Sequence, residues 1–263
     1  MTESYNSSDY IKASLNDHTL HLIMNRPEKK NALTIAMYSK MTELIDAAQN
    51  DHKVRVVLIS GAGGSFTSGN DLMDFLDNPP RDKSSPVFAF MNSISRAEKP
   101  IVAAVEGLAV GIGTTMLLHC DLAYAGKSAR FLLPFANLGL CPEAGSSFLL
   151  PLLAGYRRAA EMLLLGEPFS AEKAKEIGLI NDICDDTEVL NCTLNQVRKL
   201  AAKPQASIRL TKAMLKKNNA QIIKNTISEE AGHLMARISS PEAAEAFAAF
   251  FERRPADFEK FNQ

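Results

Sequence analysis

The stretch Lys99–Asp121, KPIVAAVEGLAVGIGTTMLLHCD, constrains the fold more than any other part of the chain. Pro100 opens the apolar, β-branched run Ile101–Val105, which has the pattern of a strand buried on both faces. Gly107 breaks that run, and Gly111 and Gly113 follow in VGIGTTM before a second apolar run through Leu118. Glycines at such a junction let the backbone turn sharply and let a ligand come close to it. A helix starting near Gly113 leaves its first N–H groups without partners inside the helix, free to face a developing negative charge. Two readings stand side by side here. One is a backbone-lined anion or oxyanion site; the other is a strand-to-helix connection whose glycines serve packing.

Nucleotide-binding motifs are poorly matched. GIGTTM ends on Met116 where a dinucleotide fingerprint needs a third Gly or Ala, and GAGGSF, which follows VRVVLIS, ends on Phe66. Neither has the lysine of a phosphate-cradling loop. With 263 residues, the chain suits one sizeable domain, or a domain with an appendage, and can bury a real core. A net charge of -1 gives no electrostatic case for nucleic acid or an acidic membrane surface, so any anion site must be local. No apolar run has the length of a transmembrane helix. MTESYNSSDY lacks the features of a secretory or transit segment and KFNQ is no peroxisomal signal, so a cytoplasmic location is expected. Cys120, Cys141, Cys184 and Cys192 lack paired metal-site spacing and are expected as free thiols. The histidines are scattered, and no metal is expected.

Taken in order, His21–Met24 reads as a strand and NRPEKKNAL as a polar loop. Thr34 is a good N-cap for a helix burying Met37, Met41, Leu44, Ile45 and Ala48. Val54–Ser60 is a strand, and Asn78–Ser85, NPPRDKSS, is the best candidate for a mobile surface loop. Pro142 and Glu143 suit the first turn of a helix running through SSFLLPLL. Tyr156–Leu165 reads as a compact helix ended by Gly166, and Ser170 caps SAEKAKEIG. This alternation of strands and helices indicates an α/β core. Beyond Asn191 the chain is nearly all helical, and from Ser240–Pro241 a last helix sets Ala244, Phe247, Ala248 and Phe251 on one face. That face could pack on its own core or on a neighbour. The expected division is residues 1–195 as core and 196–263 as a helical, oligomer-forming region.

Three loops collect the chemistry: FTSGNDL (Phe66–Leu72), VGIGTT (Val110–Thr115) and LCPEAGSS (Leu140–Ser147). In this order and spacing they resemble the crotonase (enoyl-CoA hydratase/isomerase) superfamily, over nearly the whole chain. SGNDL, AVGIG and LG-x-x-PE-x-x-SS are most similar to its Δ3,Δ2-enoyl-CoA isomerase branch. The resemblance implies a spiral of ββα units with a helical C-terminal region, assembled as trimers or paired trimers. It implies an oxyanion hole from the backbone N–H groups of Asn70 and Ile112. Ser68, Gly69, Asp71, Leu72 and Gly111 would line the substrate, and Lys29 and Lys30 would meet the phosphates of coenzyme A. Those lysines read equally well as a solvated basic turn.

Hydratases of the family carry two glutamates at positions occupied here by Thr115 and Phe135, neither of which can take a proton from water. Glu143 matches the single glutamate of the isomerases. One carboxylate suffices to move a double bond from C3 to C2 through a dienolate, with no cofactor beyond the coenzyme A of the substrate. A helix N-terminus would lower the pKa of Glu143 and an acyl-lined pocket would raise it, so its direction is open. Asp71 is a second candidate acid, although Asp beside Asn in a glycine loop also suits a turn or cap. The alternatives are a hydratase or thioester hydrolase on the same scaffold, or a non-catalytic acyl-CoA-binding protein.

Overall fold

A computed structural model describes residues 5–261. The chain begins with the hairpin β1 (Ile11–Asn16) and β2 (Thr19–Met24), then α1 (Ile35–Asn50), β3 (Val56–Gly61), α2 (Leu72–Asp77) and α3 (Pro86–Arg96). β4 (Ile101–Val105) leads into β5 (Leu108–Val110) and the short α4 (Ile112–Thr115), which tightens into a 3₁₀ turn ending at His119. β6 (Leu122–Gly126) and β7 (Arg130–Leu132) precede α5 (Ser146–Ala154) and α6 (Tyr156–Ala160). β8 (Phe169–Ser170), α7 (Ala171–Glu176) and β9 (Asp182–Cys184) complete the core. α8 (Val189–Ala201), α9 (Gln205–Lys217), α10 (Ala220–Ile238) and α11 (Pro241–Glu252) follow.

Six strands form one sheet in the order β1-β2-β3-β4-β6-β9, parallel except for the β1–β2 hairpin, and β5-β7-β8 form a second. From β4 to β7, strands of the large sheet alternate with strands of the small one: β4 hands on to β5 and α4, and β6 to β7 and α5. This is the mixed α/β spiral of ββα turns that the resemblance implied.

The continuous apolar runs of β3 and β4 have a direct physical reason. Val57, Ile59, Ile101, Ala103 and Val105 face the main core with α1 and α3. Val56, Leu58, Val102 and Ala104 face the other way, onto Val189, Val197 and Ala201 of α8. Each large side chain so buried contributes roughly 1.5–3 kcal/mol. Residue 195 falls inside α8, the helix that covers this back face.

Several local readings agree with the structure. Thr34 caps α1 through Met37 N–H at 3.3 Å, and α1 buries the five side chains named from its periodicity, with Tyr38 added. Ser170 and Ser240 cap α7 and α11. Others need correction. α5 begins at Ser146, not at Pro142, because Ala144 and Gly145 both sit in the left-handed region (φ 57° and 74°), which no right-handed first turn can contain. The expected helix Tyr156–Leu165 changes to a wider π-turn at Glu161. On α11 the buried face is Ala243, Ala246, Phe247 and Ala249, while Ala244 and Phe251 are exposed. β1 has no counterpart among the expectations, although Ile11, Ala13 and Leu15 alternate strictly with polar residues and face the core, the pattern of a half-buried strand. Asn78–Ser85 is irregular backbone between α2 and α3. Among the described residues no helix is long and apolar enough to cross a membrane.

Candidate active site

The loop after β3 and the loop after β5 are laid side by side by the backbone. Thr67 bridges in parallel to Ala109, its N–H donating to Leu108 O (2.9 Å) while its own carbonyl accepts from Val110 N–H (3.0 Å). Gly69 (φ 90°) then presses so close to Val110 that a Cβ would stand 2.9 Å from the Val110 carbonyl oxygen. Gly111 must also be glycine: with φ 55° and ψ −117° it turns the chain into α4 in a conformation other residues strongly avoid. The residues that follow these two glycines are Asn70 and Ile112. Among the described residues, neither N–H donates a hydrogen bond within the protein. Two unsatisfied backbone donors on adjacent loops are a rare pairing in a folded chain.

Both donors line a cavity of about 680 Å³. Glu143, Ser68, Gly69, Asp71, Leu72, Gly111 and Lys29 line it too, whereas Lys30 does not. Lys30 instead ends a 3₁₀ turn in the left-handed region, and its carbonyl accepts from Ser68 N–H (2.9 Å), tying the two loops together. The remaining wall is largely apolar: Phe75, Phe135, Leu138, Leu140 and Leu234, with Phe250 and Phe251 from α11. Thr115 is wholly buried behind the wall and Phe135 forms part of it.

Glu143 sits three residues ahead of α5, with 3% of its surface exposed, and its Oε1 is buried with no hydrogen-bond partner. Burial first, and the charge of Glu230 second, push its pKa up to about 8. The question left open by the sequence is thus answered by its displacement from the helix start: burial outweighs the helix terminus. Asp71 is its opposite. Its Oδ1 caps α2 through Met73 N–H (3.1 Å) and Asp74 N–H (3.2 Å), and its Oδ2 pairs with Arg26 (2.6 Å). Burial would raise this carboxyl, but the Arg26 hydrogen bond and the two backbone donors hold it below its ordinary value.

Three supporting residues escaped the sequence reading. Tyr38 of α1 donates its hydroxyl proton to the Asn70 side-chain oxygen, and burial followed by the charge of Glu143 holds its pKa well above the usual tyrosine value. His119 is buried, and its Nε2 lies 2.6 Å from Ala144 O. A carbonyl can only accept, so Nε2 carries the proton; burial keeps the ring neutral, lowering its pKa to about 4. The segment that starts with the Ile112 N–H therefore ends by holding the residue after Glu143. On the other side, Glu230 of α10 accepts from Gly145 N–H (2.5 Å) and from Ser147 N–H and Oγ–H (2.9 and 2.6 Å). No local signal marks these residues, since each acts at a distance in sequence.

Comparison with known proteins agrees with this geometry. The chain matches the family model described as enoyl-CoA hydratase/isomerase over residues 16–262. It is 31% identical to 1,2-epoxyphenylacetyl-CoA isomerase of Escherichia coli K12, covering 95% of this chain and 98% of that one. It is 34% identical to enoyl-CoA delta isomerase 2 of Rattus norvegicus over 89% of its own length, and spans 61% of that protein. Proteins named as hydratases and dehalogenases also match. Among solved structures, an enoyl-CoA hydratase/isomerase from Pseudoalteromonas atlantica T6c superposes with a TM-score of 0.90 at 37% identity, covering 95% of this chain and 99% of that one. With a family match across almost its entire length and the paired loops that the fold brings together, the chain belongs to the enoyl-CoA hydratase/isomerase (crotonase) family.

Proposed function

We propose that this protein is an enoyl-CoA isomerase that moves the double bond of a 3-enoyl-CoA to C2. The observation that carries the reading is the pair of carboxyls on the cavity wall: Asp71 is fully engaged, and Glu143 alone keeps an oxygen free. In this scheme the thioester oxygen lies against the N–H groups of Asn70 and Ile112. Glu143 removes a C2 proton, and the electron pair moves into the thioester to form a dienolate. The same carboxyl, now protonated, returns the proton at C4, leaving the double bond between C2 and C3. Fixed donors act on charge that exists only while the dienolate forms, and losing one such donor typically costs about 10²–10³ in rate. Lys29, at the cavity wall, would meet the coenzyme A moiety. A base near pH 8 is well matched to a proton transfer under neutral conditions.

Hydration would need a second acid to activate water. The family's two hydratase positions hold Thr115 and Phe135, one sealed in the core and the other an apolar wall. The test is turnover measured on one preparation with 3-enoyl-CoA and with 2-enoyl-CoA plus water. Isomerisation should be the faster by far, and Glu143→Gln should reduce it by more than the roughly 10²–10⁴ usual for loss of a general base, because one group makes both transfers. Hydration equal to or faster than isomerisation would overturn the assignment, and near-normal turnover in Glu143→Gln would remove Glu143 from the mechanism.

A further inference from the structure

We propose that Glu230 is a positioning residue for Glu143, fixing the turn behind it and presenting a negative charge to the site. The inference rests on the proposed role of Glu143 and adds a residue from α10 to it.

The turn Ala144–Gly145 is an unusual support for a reacting group. Both residues are left-handed, and Ala144, buried at 1% exposure, gains nothing from that conformation by itself. For a residue with a Cβ, the left-handed region is sterically costly. Something must hold it, and Glu230 does so from the far side. Its Oε2 takes Gly145 N–H, and its Oε1 takes both the N–H and the hydroxyl of Ser147. Three donors converge on two carboxylate oxygens and support the ionised form against the burial that raises the pKa of Glu230. With His119 on the Ala144 carbonyl, the peptide units following Glu143 are pinned at both ends.

The same geometry divides the charge between the two glutamates. Glu230 has three hydrogen bonds to support a negative charge, whereas Glu143 Oε1 has none. Glu230 therefore ionises first, and its charge discourages a second one on Glu143. The other titratable groups around Glu143 do not supply that effect. Tyr38 of α1 and the Cys141 thiol are both pushed up by burial and stay neutral, as does His119. Across the cavity Asp71 is neutralised by Arg26, and Arg254 is paired with Glu245 and Glu252; Lys29 is at the wall. Glu229, next to Glu230, points its charge at His233 on the exposed side of α10.

The test is a carboxyl-carbon NMR titration of the full-length protein, with the Glu143 signal assigned by its disappearance in Glu143→Gln. In Glu230→Gln the Glu143 midpoint should fall by about one unit, as the like charge that adds to the effect of burial is removed. Turnover on 3-enoyl-CoA should drop about 10–100-fold through kcat with KM little changed, as the base loses its alignment. The acid limb of the kcat profile should move to lower pH with the midpoint. A rate loss without any shift in the midpoint means that Glu230 is only structural and overturns the proposal. Ser147→Ala provides a second arm on an exposed side chain. It withdraws one donor from ionised Glu230, so it should raise the midpoint of the Glu230 carboxyl itself by a few tenths of a unit and so identify that signal, which should lie below the Glu143 midpoint. Should Glu230→Gln fail to fold, a Glu230 signal that titrates above the Glu143 midpoint overturns the proposal, because Glu230 would then carry no charge while Glu143 ionises. The titration needs no substrate, so its outcome is separate from whether the protein isomerises 3-enoyl-CoA.

Discussion

A carboxyl buried with one oxygen unpartnered holds its proton to higher pH, and for Glu143 this works in opposite directions on rate and on stability. Removing a C2 proton needs the carboxylate, so isomerisation should rise with pH through about 8 and fall away below it. Stability runs the other way. Between the ordinary value of 4.5 and about 8, the folded state keeps a proton that the unfolded chain releases, so stability declines as pH climbs through that window. Glu143→Gln stays neutral and escapes the decline. It should match the wild type near pH 4 and exceed it above pH 8 by a few kcal/mol, at about 1.4 kcal/mol per unit. Denaturant midpoints of both proteins at pH 5 and pH 9 measure this. A gain of the same size at both values would show that the carboxyl does not titrate between them. The family resemblance carried by the LCPEAGSS loop pointed to Glu143, but the direction of its pKa depends on burial that no local pattern reveals.

At the scale of elements, α2 shows how a short helix can serve a loop. Its N-cap, Asp71, follows Asn70 directly, and the ion pair to Arg26 anchors the cap to the strand-to-loop junction after β2. Arg26 also donates to Ala32 O (3.2 Å), so one guanidinium ties the oxyanion loop at Asp71 to the loop between β2 and α1. Asp71→Ala should lower stability by about 1–3 kcal/mol, from the lost cap and an unpaired, part-buried arginine. It should also reduce kcat about tenfold by letting the Asn70 N–H drift, with acyl-CoA affinity less affected. An unchanged kcat would separate the helix from the oxyanion donor. The caps of α1, α7 and α11 were legible because Thr34, Ser170 and Ser240 act within three residues of themselves. The start of α5 was not, because Pro142 and Glu143 imitate a first turn while Ala144, an ordinary helix former, is held left-handed by contacts from elsewhere. Asn31 is a similar case. It reads as a loop residue, yet its side chain is fully buried and holds Ala62 O (2.8 Å) and Ser65 O (2.6 Å) in the glycine loop.

For the molecule as a whole, β3, β4 and β6 were legible because buried parallel strands leave apolar runs, whereas the very short β8 and β9 were not, and the three site loops were legible through their glycines. What joins those loops was not. Gly145 and Glu230 are 85 residues apart, and His119 and Ala144 are 25, and no periodicity links such pairs. The last helix shows the same limit. Phe247 is buried within its own chain, while Phe250 and Phe251, at 59% and 43% exposure, border the cavity. Phe250 and Phe251 therefore stay open to a neighbouring chain, and other large apolar side chains are exposed as well. Leu152, Leu153, Tyr156, Leu164 and Leu165 are exposed around α5 and α6, and Leu210, Met214, Leu215 and Ile222 on α9 and α10. Gathered into one patch, apolar side chains of this size would mark a protein interaction surface. The family resemblance gives a closed trimer, or a pair of them, as the arrangement that covers it, and we propose that assembly here. Light scattering at micromolar concentration should then give about three or six times the 28.7 kDa of one chain. Replacing Leu152 and Leu165 with glutamate should shift the mass downward, since a buried unpaired charge at a subunit contact costs several kcal/mol. The chain fold should survive, because both side chains are exposed within the chain. A mass of one chain for the unmodified protein would refute the assembly.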